Sequence, residues 1–426
     1  MDHTIQGSLR LPGDKSIAHR ALMIGAIAQG DTTIDHLPDG GDVETTIDVL
    51  AALGVTSERS GQHITVHGLG GFHWQTPANA LAMNNSGTTT RLMLGLLACP
   101  PAPLLLTGDA SLSQRPMARI TDPLRLMGAQ MATTEGHLPI RIHPVRTLHG
   151  ADIQLTVASA QVKSGILFAG LQATGDTTVT GPVHTRDHTE RLLQKAGADI
   201  SRTGLTVHIK PLQAPLQPLQ IDLASDFSTA AFWIVLATLL SDSQLQLPGL
   251  SLNPTRTTLL DILARMDGDF QVVDFPQAAA AEPMGTLQVN SAKLTSTTVD
   301  AAESARAIDE LPLLALAATQ AAGRTVIHHI DELAVKESDR RAATESILRS
   351  CGATIDRQGD SWVVPGPVAL HAPDQWPDLP ADHRIAMLQI AAALVAGAPV
   401  PTTVPPVVAV SYPELTYDLT KLVTPR

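Results

Sequence analysis

The sequence predicts an α/β (α+β) protein built from six copies of one unit of about 70 residues, three copies to a domain. Three observations predict it, and they recur in the same order along the chain. An apolar helix runs into a strand, an amphipathic helix closed by glycine follows, and a short strand with alternating apolar residues comes last. At 426 residues the chain is also too long for one ordinary core and calls for two domains.

The apolar helices read RALMIGAIAQGDTTI, RLMLGLLACPPAPLLLTG, GILFAGLQATGDTTVTG, AAFWIVLATLLSDSQLQLPG, PLLALAATQAAGRTVIHH and AMLQIAAALVAGAPVPTTV. Their breaks fall at Gly30, Pro101, Gly175, Asp242, Gly323 and Gly397, at intervals of 71, 74, 67, 81 and 74 residues. Apolar nearly all round, these helices are expected to be buried on every side. The second helices are DVETTIDVLAALGV, PMARITDPLRLMGA, RDHTERLLQKAGA, TRTTLLDILARMDG, ESDRRAATESILRSCGA and the shorter YPELTYDLTKL. Five of them end at a glycine placed for a left-handed C-cap, and one face of each is polar. The alternating strands are Ile64–His67, Leu138–His143, Leu205–Lys210, Leu287–Asn290 and Trp362–Val364.

The sixth strand is missing, and Ile5–Leu11 has the pattern to supply it. That places residues 14–225 in one domain and 226–426 with 1–13 in the other. The chain then crosses between domains near Pro12-Gly13 and near Ser225-Asp226, and a cleft between two such halves is the expected ligand site.

Composition narrows the function. A net charge of −12 argues against a nucleic-acid partner, although it leaves room for a local basic pocket. Cys99 and Cys351 are the only cysteines and lie in different motifs, so neither a disulfide scaffold nor a thiolate metal site is expected. No apolar run reaches a membrane span of about 18 residues. The N-terminus alternates like a strand and has no signal-peptide core, so a cytoplasmic protein is expected; an organellar protein without its transit peptide would read the same. Metal-ligand spacing and a dinucleotide fingerprint are both lacking, so neither metal nor cofactor is expected. His63, His67, His143 and His208 read as surface residues of strands, while His383 sits between Asp382 and Arg384.

The chemistry is expected at the starts of the apolar helices. These are Asp14-Lys15-Ser16 through Arg20; Asn84-Asn85-Ser86-Gly87-Thr88 through Arg91; and Ser159-Ala160-Gln161 through Ser164. The other half supplies Ser225-Asp226, Ala307-Ile308-Asp309-Glu310 and Ala381-Asp382-His383-Arg384. Plain capping of free N–H groups accounts for Ser225, Asp226 and Asn84. It does not account for Lys15, Arg20 or Arg384, because a cation at the positive end of a helix costs roughly 0.3–1 kcal/mol. An anionic ligand would offset that cost. Gly87 allows close backbone approach to such a ligand. Arg115, Arg186, Lys336 and Arg340 add cations at the starts of the second helices, with Lys336 and Arg340 four apart on one predicted helix face. In isolation that face reads equally as a solvated salt-bridge surface. Glu337 and Asp309, carboxylates among cations, are the candidate acid/base groups.

Taken together, LPGDKSIAHRA, NNSGTTTRLM, GDASLSQRPMARI, SAQVKS, TRDHTE, SDFSTAAF, IDELP, VKESDR, DHRIAM and SYPEL resemble the 5-enolpyruvylshikimate-3-phosphate synthase family, in register over essentially the whole chain. The resemblance implies two domains, each a pseudo-threefold bundle of three βαβαββ units (an inside-out α/β barrel). It implies a carboxyvinyl transferase of the shikimate pathway and a glyphosate target, with shikimate 3-phosphate and phosphoenolpyruvate as substrates and no cofactor. A monomer is expected.

Carried onto matching positions, Lys15, Ser16, Arg20, Ser159, Ala160, Gln161, Arg186, Asp309 and Lys336 are expected to hold shikimate 3-phosphate. Lys15, Gly87, Thr88, Arg115, Gln161, Arg340 and Arg384 are expected at phosphoenolpyruvate, with Asp309, Glu337 and Lys15 catalytic. The chain departs from the family pattern at Ala334, where Arg is common, and at Leu379-Pro380-Ala381, where an aromatic-Gly pair is usual. It departs again at Val410, where some members carry Lys, and in lacking acids over Thr402–Val410. SAQVKS and TRDHTE resemble glyphosate-tolerant members, some of which carry Ala in place of Gly87. Two alternatives remain at this point. A related transferase acting on UDP-N-acetylglucosamine carries a loop cysteine that neither Cys99 nor Cys351 matches, and Lys15-Ser16 replaces its Lys-Asn. A non-catalytic anion-binding repeat protein would have no need of Asp309 and Glu337.

Overall fold

The computed structural model describes residues 3–274 and 282–426. Contacts divide the described chain into two compact units, Gly13–Leu223 on one hand and, on the other, the chain up to Pro12 together with Ala224 onward. The α/β expectation holds in both, with helices and sheets alternating through each unit.

In the first unit the apolar helices are Lys15–Ile27, Gly87–Leu96 and Ala160–Gly170. Almost every residue of these helices beyond the first turn is buried, as their all-round apolar pattern requires. Each leads into a strand: Gln29–Asp35, Leu104–Thr107 and Thr177–Thr180. The amphipathic helices Gly41–Ala52, Ala118–Leu126 and His188–Lys195 follow, and each precedes a hairpin. The same four-stranded order recurs three times, with a short leading strand parallel to the strand after the apolar helix and the hairpin antiparallel to it.

The first strand of each hairpin carries little alternation. Thr56–Ser60 is exposed throughout because it is a polar edge strand with no buried face to mark it. At the end of the helix Gly41–Ala52, Gly54 adopts φ +93°, the left-handed conformation expected of its glycine. The fourth amphipathic helix, Thr258–Arg265, differs, since there Asp267 takes the left-handed place (φ 64°) and Gly268 follows it.

The second unit contains Phe227–Leu239, Leu311–Gln320 and His383–Val395 as its apolar helices, and Thr258–Arg265, Arg340–Ser350 and Leu415–Leu422 as its amphipathic ones. Its core includes Phe227, Phe232, Trp233, Trp362 and Tyr412. The Trp233 indole N–H donates to the Tyr412 hydroxyl (3.1 Å), which donates to Asp418 (2.6 Å). Burial raises the Tyr412 pKa, so that donor keeps its proton. Cys351 is buried, with its thiol pushed up to about 11 by desolvation, and Cys99 is half-buried with its thiol on the Val145 carbonyl (3.2 Å).

The N-terminus completes the sixth copy only in part. The N-terminal strand His3–Ser8 pairs antiparallel with Val423–Pro425, the strand after the sixth amphipathic helix, as the alternating strands of the other copies do, but among the described residues no strand stands between His383–Val395 and Leu415–Leu422 to take its other edge. His3–Ser8 also runs parallel to Gln244–Ser251, taking the leading place in the fourth copy's sheet. The N-terminus is therefore tied to both the fourth copy and the end of the chain, within one five-stranded sheet.

Candidate active site

Helix starts organise the first unit's polar groups. Asp14 caps Lys15–Ile27 by accepting from the Ile17 N–H (3.0 Å). Lys15 Nζ pairs with Asp42 at 2.9 Å, with the two side chains 21% and 17% exposed. Half-buried Ser16 lies beside it, its carbonyl accepting from Arg20 Nη1 (2.7 Å). Arg20 is buried, and its Nε and Nη2 donate to Thr189 (2.7 Å) and Ser164 (3.0 Å), so one guanidinium ties three helices together. Ser159 caps the third apolar helix through the Val162 N–H (3.3 Å) and leads into Ala160 and Gln161. Ser86, not Asn84, caps the second through the Thr89 N–H (3.2 Å). Asn84 has a left-handed backbone (φ 47°) two residues before the cap, and its amide donates to Thr45 (3.0 Å).

Two glycines bring the second and third helix starts together. A Cβ on Gly95 would sit 1.9 Å from the Gly165 carbonyl oxygen, so the helices cross backbone to backbone. One turn earlier on each, Arg91 Nη1 donates to Gln161 Oε1 (2.7 Å) and Gln161 Nε2 donates to Thr88 (2.9 Å). Arg115 is buried and donates to Asn85 Oδ1 (2.6 Å). A Cβ on Gly87 would lie 3.0 Å from Arg91 Nη1 and 3.2 Å from Arg115 Nη1. Glycine thus leaves this helix start open toward two guanidiniums. Gly95→Ala is expected to cost about 1–3 kcal/mol, by denaturant titration, as the helices are forced apart.

Lys163 fixes the loop that carries Arg186. It is buried, pairs with Glu190 (2.5 Å) and donates to the Thr185 and Arg186 carbonyls (3.3 and 3.0 Å). Beneath Lys15 lies His19, fully buried, whose pKa is lowered to about 3 by desolvation, with Lys15 and Arg20 adding to the effect against Asp42. Below pH 6.5 the unfolded chain takes up a proton at His19 that the folded chain refuses, so stability is full above about pH 6.5 and lost as pH falls toward 3. His19→Gln is expected to remove a slope of about 1.4 kcal/mol per pH unit below pH 6.5, measured as denaturation midpoints against pH.

In the second unit Arg340 is the hub. Its Nε donates to Asp382 (2.8 Å), Nη1 to Asp309 (3.0 Å) and Nη2 to Glu337. Burial opposes its charge, but Glu337, Asp382 and Asp309 outweigh burial and raise its pKa. Arg384 Nε stands 3.7 Å from the same Asp309 oxygen, and Asp382 also caps the helix that begins at His383. Next to Asp309, fully buried Glu310 accepts from Ser228 (2.5 Å) and lies 3.6 Å from Arg256.

Lys336 and Arg340 do not share a helix face. Asp339 caps Arg340–Ser350 through the Ala342 N–H (3.0 Å), so the helix starts at Arg340, and Lys336 belongs to the preceding bend after the 3-10 turn Asp331–Val335. Desolvation lowers the Lys336 pKa against the pull of Asp309. Of the departures from pattern, Ala334 lies in that turn beside exposed Val335, and Val410 ends a second 3-10 turn, Pro406–Val410.

The structure thus gathers the expected residues into two sets, one in each unit. Lys15, Ser16, Arg20, Gly87, Thr88, Arg115, Ser159, Ala160, Gln161 and Arg186 belong to the first, and Asp309, Lys336, Glu337, Arg340 and Arg384 to the second. Sequence reasoning missed Asp42, Arg91, Lys163 and Asp382 as partners. Arg91 had a signal, four residues beyond Gly87 on one helix face. Ser225 and Asp226 behave as caps and ties: Asp226 accepts from the Thr229 N–H (2.9 Å), and Ser225 donates to the Leu11 carbonyl (3.0 Å). Among the described residues no three His, Cys, Asp or Glu side chains are grouped to hold a metal ion, and no helix is long and apolar enough to cross a membrane.

Comparison with known proteins gives a consistent result. The family model described as EPSP synthase (3-phosphoshikimate 1-carboxyvinyltransferase) matches residues 2–419. A 3-phosphoshikimate 1-carboxyvinyltransferase of Lactiplantibacillus plantarum is 43% identical over 420 residues, covering 98% of this chain and 96% of that protein. One from Geobacillus thermodenitrificans is 41% identical over 423 residues, covering 98% and 97%. Among solved structures, EPSP synthase from Acinetobacter baumannii superposes with a TM-score of 0.84 at 36% identity, covering 100% of this chain and 98% of that one. The enolpyruvyl transferase NikO from Streptomyces tendae shares the fold at a TM-score of 0.75 and 20% identity, over 99% and 97% of the two chains. With a family match and relatives above 40% identity over nearly their full length, the chain belongs to the EPSP synthase (3-phosphoshikimate 1-carboxyvinyltransferase) family.

Proposed function

We propose that the protein transfers the carboxyvinyl group of phosphoenolpyruvate to the 5-hydroxyl of shikimate 3-phosphate and releases phosphate. The observation that carries this reading is Arg340, which holds the carboxylates Asp309 and Glu337 beside Arg384. The two carboxylates are groups able to exchange protons, and the cations suit an anionic substrate.

Lys15, Ser16, Arg20, Ser159, Ala160, Gln161, Arg186, Asp309 and Lys336 hold shikimate 3-phosphate. Lys15, Gly87, Thr88, Arg115, Gln161, Arg340 and Arg384 hold phosphoenolpyruvate. The 5-hydroxyl oxygen attacks C2 of phosphoenolpyruvate and loses its proton while C3 gains one, giving a tetrahedral intermediate. The C2–O bond to phosphate then breaks, C3 gives up a proton, and the vinyl ether remains. Asp309 and Glu337 exchange these protons with assistance from Lys15, while the guanidiniums offset charge as two anions meet. Desolvation loosens the proton on Lys336, and a bound phosphate would hold it in place. We also read the protein as a cytoplasmic monomer without a nucleic-acid partner, the last supported by its net charge of −12.

The direct test mixes the protein with shikimate 3-phosphate and phosphoenolpyruvate and follows inorganic phosphate. Release dependent on both substrates is expected. Silence with that pair, together with turnover on UDP-N-acetylglucosamine, would transfer the assignment to the related enzyme.

A further inference from the structure

Beneath the helix starts of the first unit, four buried side chains form a continuous hydrogen-bonded chain. His19 Nδ1 is 2.7 Å from Thr46 Oγ1, which is 2.8 Å from Thr89 Oγ1, which is 2.6 Å from Ser86 Oγ. All four residues are fully shielded from solvent. The chain links three helices, Lys15–Ile27, Gly41–Ala52 and Gly87–Leu96, with Ser86 as the cap of the third.

Both ends and the middle adjoin groups placed in the site. His19 is one helical turn beyond Lys15 and Ser16. Thr46 is one turn beyond Asp42, the partner of Lys15, and the Asp42 carbonyl oxygen lies 3.4 Å from the Thr89 hydroxyl and 3.5 Å from the Thr46 hydroxyl. Ser86 and Thr89 bracket Gly87-Thr88. A hydroxyl between two partners donates to one and accepts from the other, so the proton directions along the chain are set together.

Stability alone does not explain His19. Its Nε2 is buried without a hydrogen-bond partner, a cost that an apolar side chain at this position would avoid. Nδ1 is what the imidazole adds, and Nδ1 is spent on Thr46. Burial depresses its pKa and keeps the ring neutral.

We propose that His19, Thr46, Thr89 and Ser86 are positioning residues for carboxyvinyl transfer, fixing the spacing between Lys15 and the Gly87-Thr88 helix start and so the placement of phosphoenolpyruvate against shikimate 3-phosphate. The inference rests on the activity proposed above. Thr46→Val keeps the side-chain shape and removes both links, whereas Thr46→Ser keeps the hydroxyl.

Steady-state kinetics on the full chain test it. In Thr46→Val the KM for phosphoenolpyruvate is expected to rise roughly tenfold while that for shikimate 3-phosphate stays within about twofold, and Thr46→Ser is expected to return to within about threefold of the parent. A Thr46→Val enzyme with both constants within about threefold of the parent, or with both KM values raised alike, would overturn the positioning role. If Thr46→Val does not fold, 15N NMR of the parent decides: the His19 ring should show one neutral tautomer with no titration between about pH 5.5 and 8.5, and a ring that titrates near 6.5 or exchanges tautomers would refute the chain. A parent that releases no phosphate would instead count against the activity itself, and the His19 spectrum keeps the two failures apart.

Discussion

Arg340→Met is expected to lower stability by about 3–5 kcal/mol and to reduce phosphate release by at least about 10³-fold. Arg340 is 1% exposed and bonds three carboxylates through three different nitrogens: Asp382 at 2.8 Å, Asp309 at 3.0 Å, and Glu337. Removing it leaves the fully buried Asp382 carboxylate, 0% exposed, without its main counter-charge. That is the costly way to break a buried pair, because the remaining charge has no water to replace its partner. Arg340→Lys should recover only part of either loss, since one ammonium cannot span three acceptors. Denaturant titration and the phosphate assay measure the two effects separately. Stability close to the parent's in Arg340→Met would show that the three carboxylates do not depend on this guanidinium.

Lys15→Met is expected to have the opposite profile: a loss of at least about 10²-fold in turnover, with stability changed by no more than about 1 kcal/mol. The Lys15–Asp42 pair is still about one-fifth exposed on each side, so water replaces much of what the pair supplies. The ammonium's value lies at the start of Lys15–Ile27, where the free N–H groups and the charge suit an anion together. The same two assays read the outcome. A folded Lys15→Met enzyme with near-normal turnover would remove Lys15 from both substrate sites.

Much of this organisation was legible in the sequence because the repeat aligned it. Lys15, Gly87, Ser159, Asp309 and Arg384 stand at equivalent helix starts, and a cation at a helix start is conspicuous against capping. The partners were not legible, because they come from tertiary crossings. Asp42 meets Lys15 from another helix, and Arg91 meets Gln161 only because Gly95 and Gly165 let two backbones touch. Lys336 was misplaced by helical spacing, which continued through a stretch where the Asp339 cap begins the helix anew at Arg340. The N-terminal strand was assigned to the right half of the chain and to the sixth copy, but its parallel partner in the fourth copy was not legible, since alternation gives a strand its face and not its neighbours. The neutrality of His19 depends on burial, which no local pattern revealed.

Proton and phosphorus NMR of the reaction product test directly whether the protein carries out carboxyvinyl transfer. A pair of vinyl protons on an ether at the 5-oxygen is expected, with the 3-phosphate retained and one inorganic phosphate formed per vinyl ether. Pyruvate and phosphate without a vinyl ether would mean that water, not the 5-hydroxyl, accepts the reaction, and would contradict that transfer.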